Sequence, residues 1–282
     1  MPGQPRPVSR RSFLRGLAAT LTVAGITRAA RAAARTNPGF RFLVVNDLHH
    51  ATPECDPFFA GLVEQMRGHG RVEFCLLVGD LTDQGQPRSF VAIREAFGKL
   101  GCPVYAVPGN HDCDVEQTTA IYQRHFPRRL NYEFSREGWQ FIGLDSTDGN
   151  KWGGSSIQPK TFAWLDAALR RLDPAKPTVV FTHFPLITEV NPKLTPVNAG
   201  ELLDRFAHWN LRAAFSGHYH ARTERAVRSA AVLTNACCSR VRGNHDGTIP
   251  EGYLLCTAHS DGALEREFVR FVPAERSPPP GY

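Results

Sequence analysis

None of the seven cysteines (Cys55, Cys75, Cys102, Cys113, Cys237, Cys238 and Cys256) pairs with another at C-x-x-C spacing, which excludes the usual zinc-ribbon and thioredoxin-like motifs. Their odd number excludes a fully paired disulfide scaffold. Cys75, Cys102 and Cys256 stand in or beside apolar runs, so the cysteines are read as small buried hydrophobes. The sequence has no internal repeat, no linker that would divide its body, and no apolar run long enough to cross about 30 Å of hydrocarbon. Acidic residues are missing from positions 1 to 34, where six arginines stand (Arg6, Arg10, Arg11, Arg15, Arg28 and Arg31). Lys and Arg total 33 against 27 Asp and Glu in the 282 residues, so setting those six aside leaves 27 of each sign. A neutral body gives no electrostatic reason to expect nucleic acid as a partner. What is present, 42% hydrophobic and 21% charged residues, is the composition of a globular domain and not of a disordered or collagen-like chain.

The acid-free segment is ordered as a targeting signal: Ser9-Arg10-Arg11-Ser12-Phe13-Leu14, an apolar run from Leu17 to Ile26, then small residues ending in Ala32-Ala33-Ala34. It resembles a twin-arginine export signal. Arg15 and Arg28 bracket the apolar run, which is too short for a retained anchor. Cleavage after Ala32 or Ala34 fits equally well. The resemblance implies passage through the twin-arginine translocation machinery, a periplasmic or secreted location and no stable membrane anchor. The chain is thus expected to comprise a signal peptide at 1–34, one folded domain at 36–273 and a disordered Pro-rich tail at 274–282.

Within the body, short apolar runs alternate with segments of helical period, the pattern of an α/β fold. Strands are expected over Phe42–Val45, Val72–Val78, Val104–Val107, Phe141–Leu144, Thr178–Thr182 and Leu211–Phe215. Helical faces are formed by Phe58, Leu62, Val63 and Met66, by Phe90, Ile93, Phe97 and Leu100, and by Phe162, Leu165, Leu169 and Leu172. Asn198, with Glu201 three positions later, reads as a capping box opening a helix that carries Leu202, Leu203 and Phe206. Beyond residue 222 the helical period stops. Strands over Ala231–Thr234, Tyr253–Thr257 and Glu267–Val272 point to a second, antiparallel-rich sheet.

Five of the earlier strands run into residues of metal-ligand type. The first leads to Asn46-Asp47-Leu48-His49, the second to Gly79-Asp80-Leu81-Thr82-Asp83, and the third, through Pro108, to Gly109-Asn110-His111-Asp112. The fifth ends at His183 and the sixth at Gly217-His218-Tyr219-His220. Carboxyl ends of strands border a common crevice in an α/β sheet, so these residues are expected to meet. Two carboxylates, four imidazoles and one amide oxygen, with no thiolate, suit hard or borderline divalent cations and disfavour Cu(I). Two such ions about 3.5 to 4 Å apart can hold a bridging hydroxide and grip phosphoryl oxygens during an in-line displacement. With only two carboxylates the centre stays cationic and attracts a phosphate.

The order D-x-H, G-D-x-x-D, G-N-H-D, H and G-H-x-H, spread from about Phe40 to about Ala221, resembles the calcineurin-like metallophosphoesterases. That resemblance implies an α/β fold in four layers, an α-β-β-α sandwich of two mixed sheets flanked by helices. It implies two divalent or trivalent ions, Mn, Fe or Zn, with Asp80 bridging them. Asp47, His49 and His220 would complete one site, and Asn110, His183 and His218 the other. In the family the histidine of G-N-H assists the leaving-group oxygen, a role that falls here on His111. The family pattern makes Asp83 the carboxylate that orients its ring, with Asp112 as a second candidate. The implied activity is hydrolysis of a small phosphoric ester by attack of a metal-bound hydroxide, with a phosphodiester as first choice and a phosphomonoester as second. A non-catalytic metal-binding scaffold is a third reading, weakened because all seven donors and His111 are present.

A second Gly243-Asn244-His245-Asp246 follows polar Ser239 to Arg242 and comes after G-H-x-H, so order and context reject it as a metal motif. It reads as a loop, with a substrate-contacting rim as the alternative. Protein phosphatases of the superfamily show Arg-Gly after G-D-x-x-D and Glu after G-N-H, whereas this chain has Gln84-Gly85 and Asp112, which argues against a phosphoprotein substrate. Purple acid phosphatases place a metal-binding tyrosine where Asp83 stands. The motif set is similar to the cyclic-nucleotide-phosphodiesterase-like branch. Loops at 146–158, 185–198 and 237–252 offer Lys151, Trp152, Lys193, Arg240, Arg242 and His245, of which Lys151, Trp152, Arg240 and His245 are the candidate substrate contacts. His50 and Tyr219 alternate with the donors along the chain and are expected to face away from them.

Overall fold

The computed structural model describes residues 39–249 and 251–273; the expected signal peptide at 1–34 and the tail at 274–282 lie outside the described residues. The strands are β1 (Phe40–Val45), β2 (Phe74–Val78), β3 (Val104–Val107), β4 (Tyr132–Arg136), β5 (Trp139–Leu144), β6 (Thr178–Thr182), β7 (Leu211–Ser216), β8 (Thr223–Val227), β9 (Ala230–Thr234), β10 (Glu251–Ala258) and β11 (Leu264–Phe271). One sheet has the order β11-β10-β1-β2-β3, with β1, β2 and β3 parallel and the two C-terminal strands antiparallel. The other has the order β4-β5-β6-β7-β9-β8, parallel from β5 through β9 and antiparallel at both edges.

Apolar runs without polar alternation explain why each sheet is covered on both sides. In β1, Phe42 and Val44 join Phe74, Phe141, Phe181 and Phe215 between the sheets, while Leu43 and Val45 face outward. Phe42 stacks on Phe74 at 5.0 Å and meets Phe141 edge-on at 5.4 Å, so the two sheets touch through rings. Each buried phenylalanine contributes about 1.5–3 kcal/mol relative to exposure. Helices α1 (Asp56–Arg67), α2 (Pro87–Gly98) and α3 (Ala120–His125) cover the first sheet, setting Phe58, Leu62, Phe90 and Phe97 against Leu43, Cys75 and Leu77. Helices α4 (Pro159–Leu169) and α5 (Ala199–Asp204) cover the second, setting Phe162, Leu165 and Leu202 against Ile142, Leu144 and Val180. Pro57, Pro87 and Pro159 each stand in the first turn of a helix, where the missing N–H has no intrahelical partner to lose. The result is the expected four-layer sandwich, two mixed sheets flanked by helices.

Three expectations change. The C-terminal strands do not form a sheet of their own: β8 and β9 extend the second sheet, and β10 and β11 extend the first. Edge strands β4 and β8 were not anticipated, because β8 is almost wholly exposed and β4 has only two inward aromatics, Tyr132 and Phe134. Asn198 caps nothing with its side chain. Its amide instead bonds the backbone of Ile157 in both directions, accepting at 2.9 Å and donating at 3.0 Å, which ties α5 to the loop before α4. All seven cysteines are free; six are buried and Cys102 is half-buried, as packing residues should be. Among the described residues no helix is long and apolar enough to cross a membrane.

Candidate metal centre

Segments following β1, β2, β3, β6 and β7 supply the seven expected donors. Ligand atoms of Asp47, His49, Asp80 and His220 all lie within 4.8 Å of one another, as do those of Asp80, His183 and His218. Asp80 belongs to both groups: its Oδ2 stands 3.5 Å from His49 Nε2 and 3.3 Å from His183 Nε2. Its Oδ1 accepts the His111 N–H at 2.9 Å, which brings the loop after β3 to the same place. Asn110 is buried there, and its Oδ1 has no hydrogen-bond partner.

The backbone is bent to reach this arrangement. Asp47, His49, Asp80, His218 and His220 all have φ between 45° and 64°, a left-handed conformation costing about 1 kcal/mol or more per non-glycine residue. Parallel pairing that continues past the strands holds the first three, with Asp47 N–H donating to Gly79 O at 3.0 Å and His49 N–H to Asp80 O at 2.9 Å. Close approach explains two of the motif glycines. A Cβ on Gly109 would collide with Asp80, and one on Gly217 with the carboxylate of Asp47.

Three of the four imidazoles are committed on one side by a hydrogen bond. His183 donates Nδ1–H to Val78 O at 3.2 Å, His220 donates Nδ1–H to Gly243 O at 3.1 Å, and His218 donates Nε2–H to Trp152 O at 2.7 Å. His49 Nδ1 faces Asp83 Oδ1 at 3.2 Å. Nε2 of His49, His183 and His220 and Nδ1 of His218 are thereby left as the ligand nitrogens. His49 Nε2 and His220 Nε2 face each other at 3.2 Å, and buried His183 Nε2 has no hydrogen-bond partner. Metal-bound histidines are pinned in this way, through the ring nitrogen that does not bind. Burial opposes a proton on His183, yet Asp80 and then Asp47 hold its pKa up at about 9. Burial and then the His183 charge push His218 down to about 3. Burial works against ionisation of Asp80, but His183 and His111 keep its carboxyl well below the usual range. Two buried carboxylates, an orphaned amide oxygen and four buried rings, three of them pinned, fit a pair of hard or borderline cations.

His111 and its expected partners are arranged differently from the sequence reading. His111 donates Nδ1–H to the backbone carbonyl of Asp83 at 2.8 Å, while the nearer carboxylate oxygen of Asp83 is 3.9 Å away. That carboxylate is occupied by His49 and by Arg242, whose Nε and Nη2 donate to Oδ1 at 3.0 and 2.8 Å. Burial raises the Asp83 pKa, but His49 and Arg242 outweigh it and hold it at about 2. Asp112 makes its hydrogen bonds to the loop backbone and to Thr82 and not to the His111 ring. It is fully buried and accepts four donors, Leu81 N–H and Gly109 N–H on Oδ2 and Thr82 N–H and hydroxyl on Oδ1. Burial and then the Asp80 charge push its carboxyl up to about 7 against the pull of those N–H groups. Asp112 is thus a clamp between the loops after β2 and β3.

Residues 40–222 match the family described as calcineurin-like phosphoesterase. The chain belongs to the calcineurin-like phosphoesterases. A protein of Synechococcus sp. named as a probable cyclic nucleotide phosphodiesterase is 32% identical over 196 residues, covering 68% of this chain and 74% of its own length. A glycerophosphodiester phosphodiesterase of Enterobacter lignolyticus is 29% identical over 204 residues, covering 68% and 72%. The crystal structure of a dimetal phosphatase from Danio rerio shares the fold, with a TM-score of 0.64 at 16% identity over 78% of this chain and 93% of that one. Family membership makes the chain a metal-dependent phosphoric ester hydrolase, and its Asp and His residues indicate a dinuclear site.

Beside the centre of this phosphoesterase an open cleft of about 450 Å³ is bordered by His111, Asn110, Gln84, Asp83, Asp114, Asn150, Val115 and Trp152, and among the described residues no lysine or arginine lines it. Of the four candidate substrate contacts only Trp152 borders the cleft, with 64% of the residue exposed. Lys151 pairs with Asp148 at 2.8 Å, and Arg240 stands outside the cleft lining. His245 stacks on His220 instead, with ring centroids 4.4 Å apart at 24°. Lys193 is exposed outside the cleft lining. His50 faces away as expected, bonding Asp56 at 2.8 Å. Main-chain acceptors at Val78, Trp152 and Gly243 left no trace in the sequence, since a carbonyl's aim is independent of residue type.

Proposed function

We propose that this phosphoesterase is an exported phosphodiesterase. One ion, Mn, Fe or Zn, would take Asp47, His49, Asp80 and His220, and the other Asp80, Asn110, His183 and His218. The observation that carries the reading is the set of four buried imidazoles around two carboxylates, three of them hydrogen-bonded through one ring nitrogen and the fourth, His49, with Nδ1 3.2 Å from Asp83 Oδ1. When bound, such ions polarise phosphoryl oxygens and lower the pKa of water. His111 gives its Nδ1–H to the Asp83 carbonyl, which leaves Nε2 to hold the proton that the departing alcohol oxygen takes.

A diester is favoured over a monoester by the charge of the cleft. A monoester brings a dianion, and beyond His111 no lysine or arginine among the described residues lines the cleft to meet the second charge, whereas Asp83 and Asp114 do line it. A diester brings one charge and a second organic group, for which Trp152, Val115, Gln84 and Asn150 offer a ring, an apolar side chain and two amides. Two relatives named as phosphodiesterases agree with this preference. The test is turnover of bis-p-nitrophenyl phosphate and p-nitrophenyl phosphate by protein stripped with chelator and reloaded with Mn, Zn or Fe. A kcat/KM at least about tenfold higher for the diester is the expected outcome. The reverse order assigns a phosphomonoesterase, and no turnover with any metal leaves only a metal-binding scaffold.

Export rests on the Arg10-Arg11 pair, the apolar run and the alanine-rich end of the first 34 residues. The mature protein is expected outside the cytoplasm, beginning after Ala32 or Ala34. N-terminal sequencing of a cytoplasmic chain still starting near Met1 would overturn it.

A further inference from the structure

The second G-N-H-D stretch lies beyond the family match, which ends at residue 222, yet its segment grips the catalytic side of the fold. Gly243 O takes the His220 ring, His245 N–H donates to His220 O at 3.1 Å, and the preceding Arg242 reaches Asp83. Asp83 serves two rings at once. Its carbonyl accepts from His111 Nδ1 at 2.8 Å and its Oδ1 stands 3.2 Å from His49 Nδ1. The same Oδ1 is 3.9 Å from His111 Nδ1, so a small side-chain rotation would make the carboxylate compete with the carbonyl for that ring. Arg242 opposes the rotation with two N–H groups on one oxygen, at 3.0 and 2.8 Å, the planar fork fixing direction as well as charge.

We propose that Arg242 is a positioning residue for leaving-group departure: by fixing the Asp83 carboxylate it keeps His111 on the Asp83 carbonyl, with Nε2 aimed at the ester oxygen. This rests on the hydrolase reading given above. In the step served, water forms the new P–O bond and loses a proton to solvent, from which His111 Nε2 takes one back after turnover. The bond from phosphorus to the alcohol breaks, and its electron pair stays on the alcohol oxygen, which takes the proton of His111 Nε2. Misaimed, His111 fails most where the leaving oxygen needs that proton most.

Methyl p-nitrophenyl phosphate and methyl phenyl phosphate have the same shape at phosphorus and differ in how readily the aryl oxide leaves. With the manganese-loaded full chain, Arg242→Ala is expected to lower kcat for the phenyl ester about tenfold more than for the nitrophenyl ester. KM should stay within about twofold, and two ions per chain should be retained by metal analysis. Arg242→Lys, which keeps the charge and loses the fork, should recover part of the phenyl-ester rate; it also serves if the alanine variant fails to fold. Equal losses on both esters, a change confined to KM, or loss of metal would each overturn the proposal while leaving the hydrolase reading intact. A wild-type chain that turns over neither ester with any metal overturns that reading, and the proposal with it.

Discussion

His183 shows what burial and charge together do to one imidazole. A cation can take Nε2 only after the proton held there by Asp80 and Asp47 has left, and that proton stays until about pH 9 in the metal-free protein. Manganese affinity should therefore climb by up to about tenfold per pH unit from pH 6 and flatten near pH 9, as measured by competition with a fluorescent chelator. The linkage sign follows. His183 has a raised pKa in the folded state, so its contribution to metal-free stability is complete below the unfolded value near 6.5 and fades as pH rises through 9. His245 makes a separate prediction. Its ring lies on His220, so His245→Ala should weaken metal binding by about tenfold while leaving KM for the diester unchanged. Residue types at strand ends marked the seven candidate donors, because imidazole, carboxylate and amide oxygen are chosen for what they bind. Roles of Asp83 and Asp112 were not legible, since a carboxylate in a loop reads the same whether it orients a ring, pairs with an arginine or collects backbone N–H groups.

At the level of elements, Asp112 joins what β2 and β3 leave apart. Asp112→Ala would strand the N–H groups of Leu81, Thr82 and Gly109 in a buried place, each worth about 1–3 kcal/mol when left unpaired. A loss of at least about 3 kcal/mol is expected in urea unfolding of the metal-loaded protein, with no recovery from added metal. Strands with two buried faces were readable as apolar runs, as in β1, β2 and β6. The exposed edge strand β8 carries no such signal, and Asn198 was misread because its amide found a backbone partner across the fold instead of in its own helix. Sheet membership of β8 to β11 was likewise hidden: strand pairing is decided by partners far away in sequence.

Across the whole molecule, the donors are shared between the layers. Asp47, His49, Asp80 and Asn110 follow strands of the first sheet, and His183, His218 and His220 follow strands of the second. Ions bound only by the folded chain stabilise it by about 4 kcal/mol at a free concentration one thousand times their Kd. For a domain of this size that is a shift of roughly 10 °C in Tm, which scanning calorimetry with and without chelator should detect.

The division of candidate donors between the two sheets would make bound ions rivets through a laminate. Without them the aromatic filling still holds the leaves together, and the ties left at the crevice end are hydrogen bonds such as those from His183 to Val78 O and from the His218 N–H to Asp47. Loosening should thus begin at the mouth and travel inward along β6 and β7, so that amides near Thr182 and Ser216 exchange with solvent sooner than those near Thr178 and Leu211 once the cations are withdrawn.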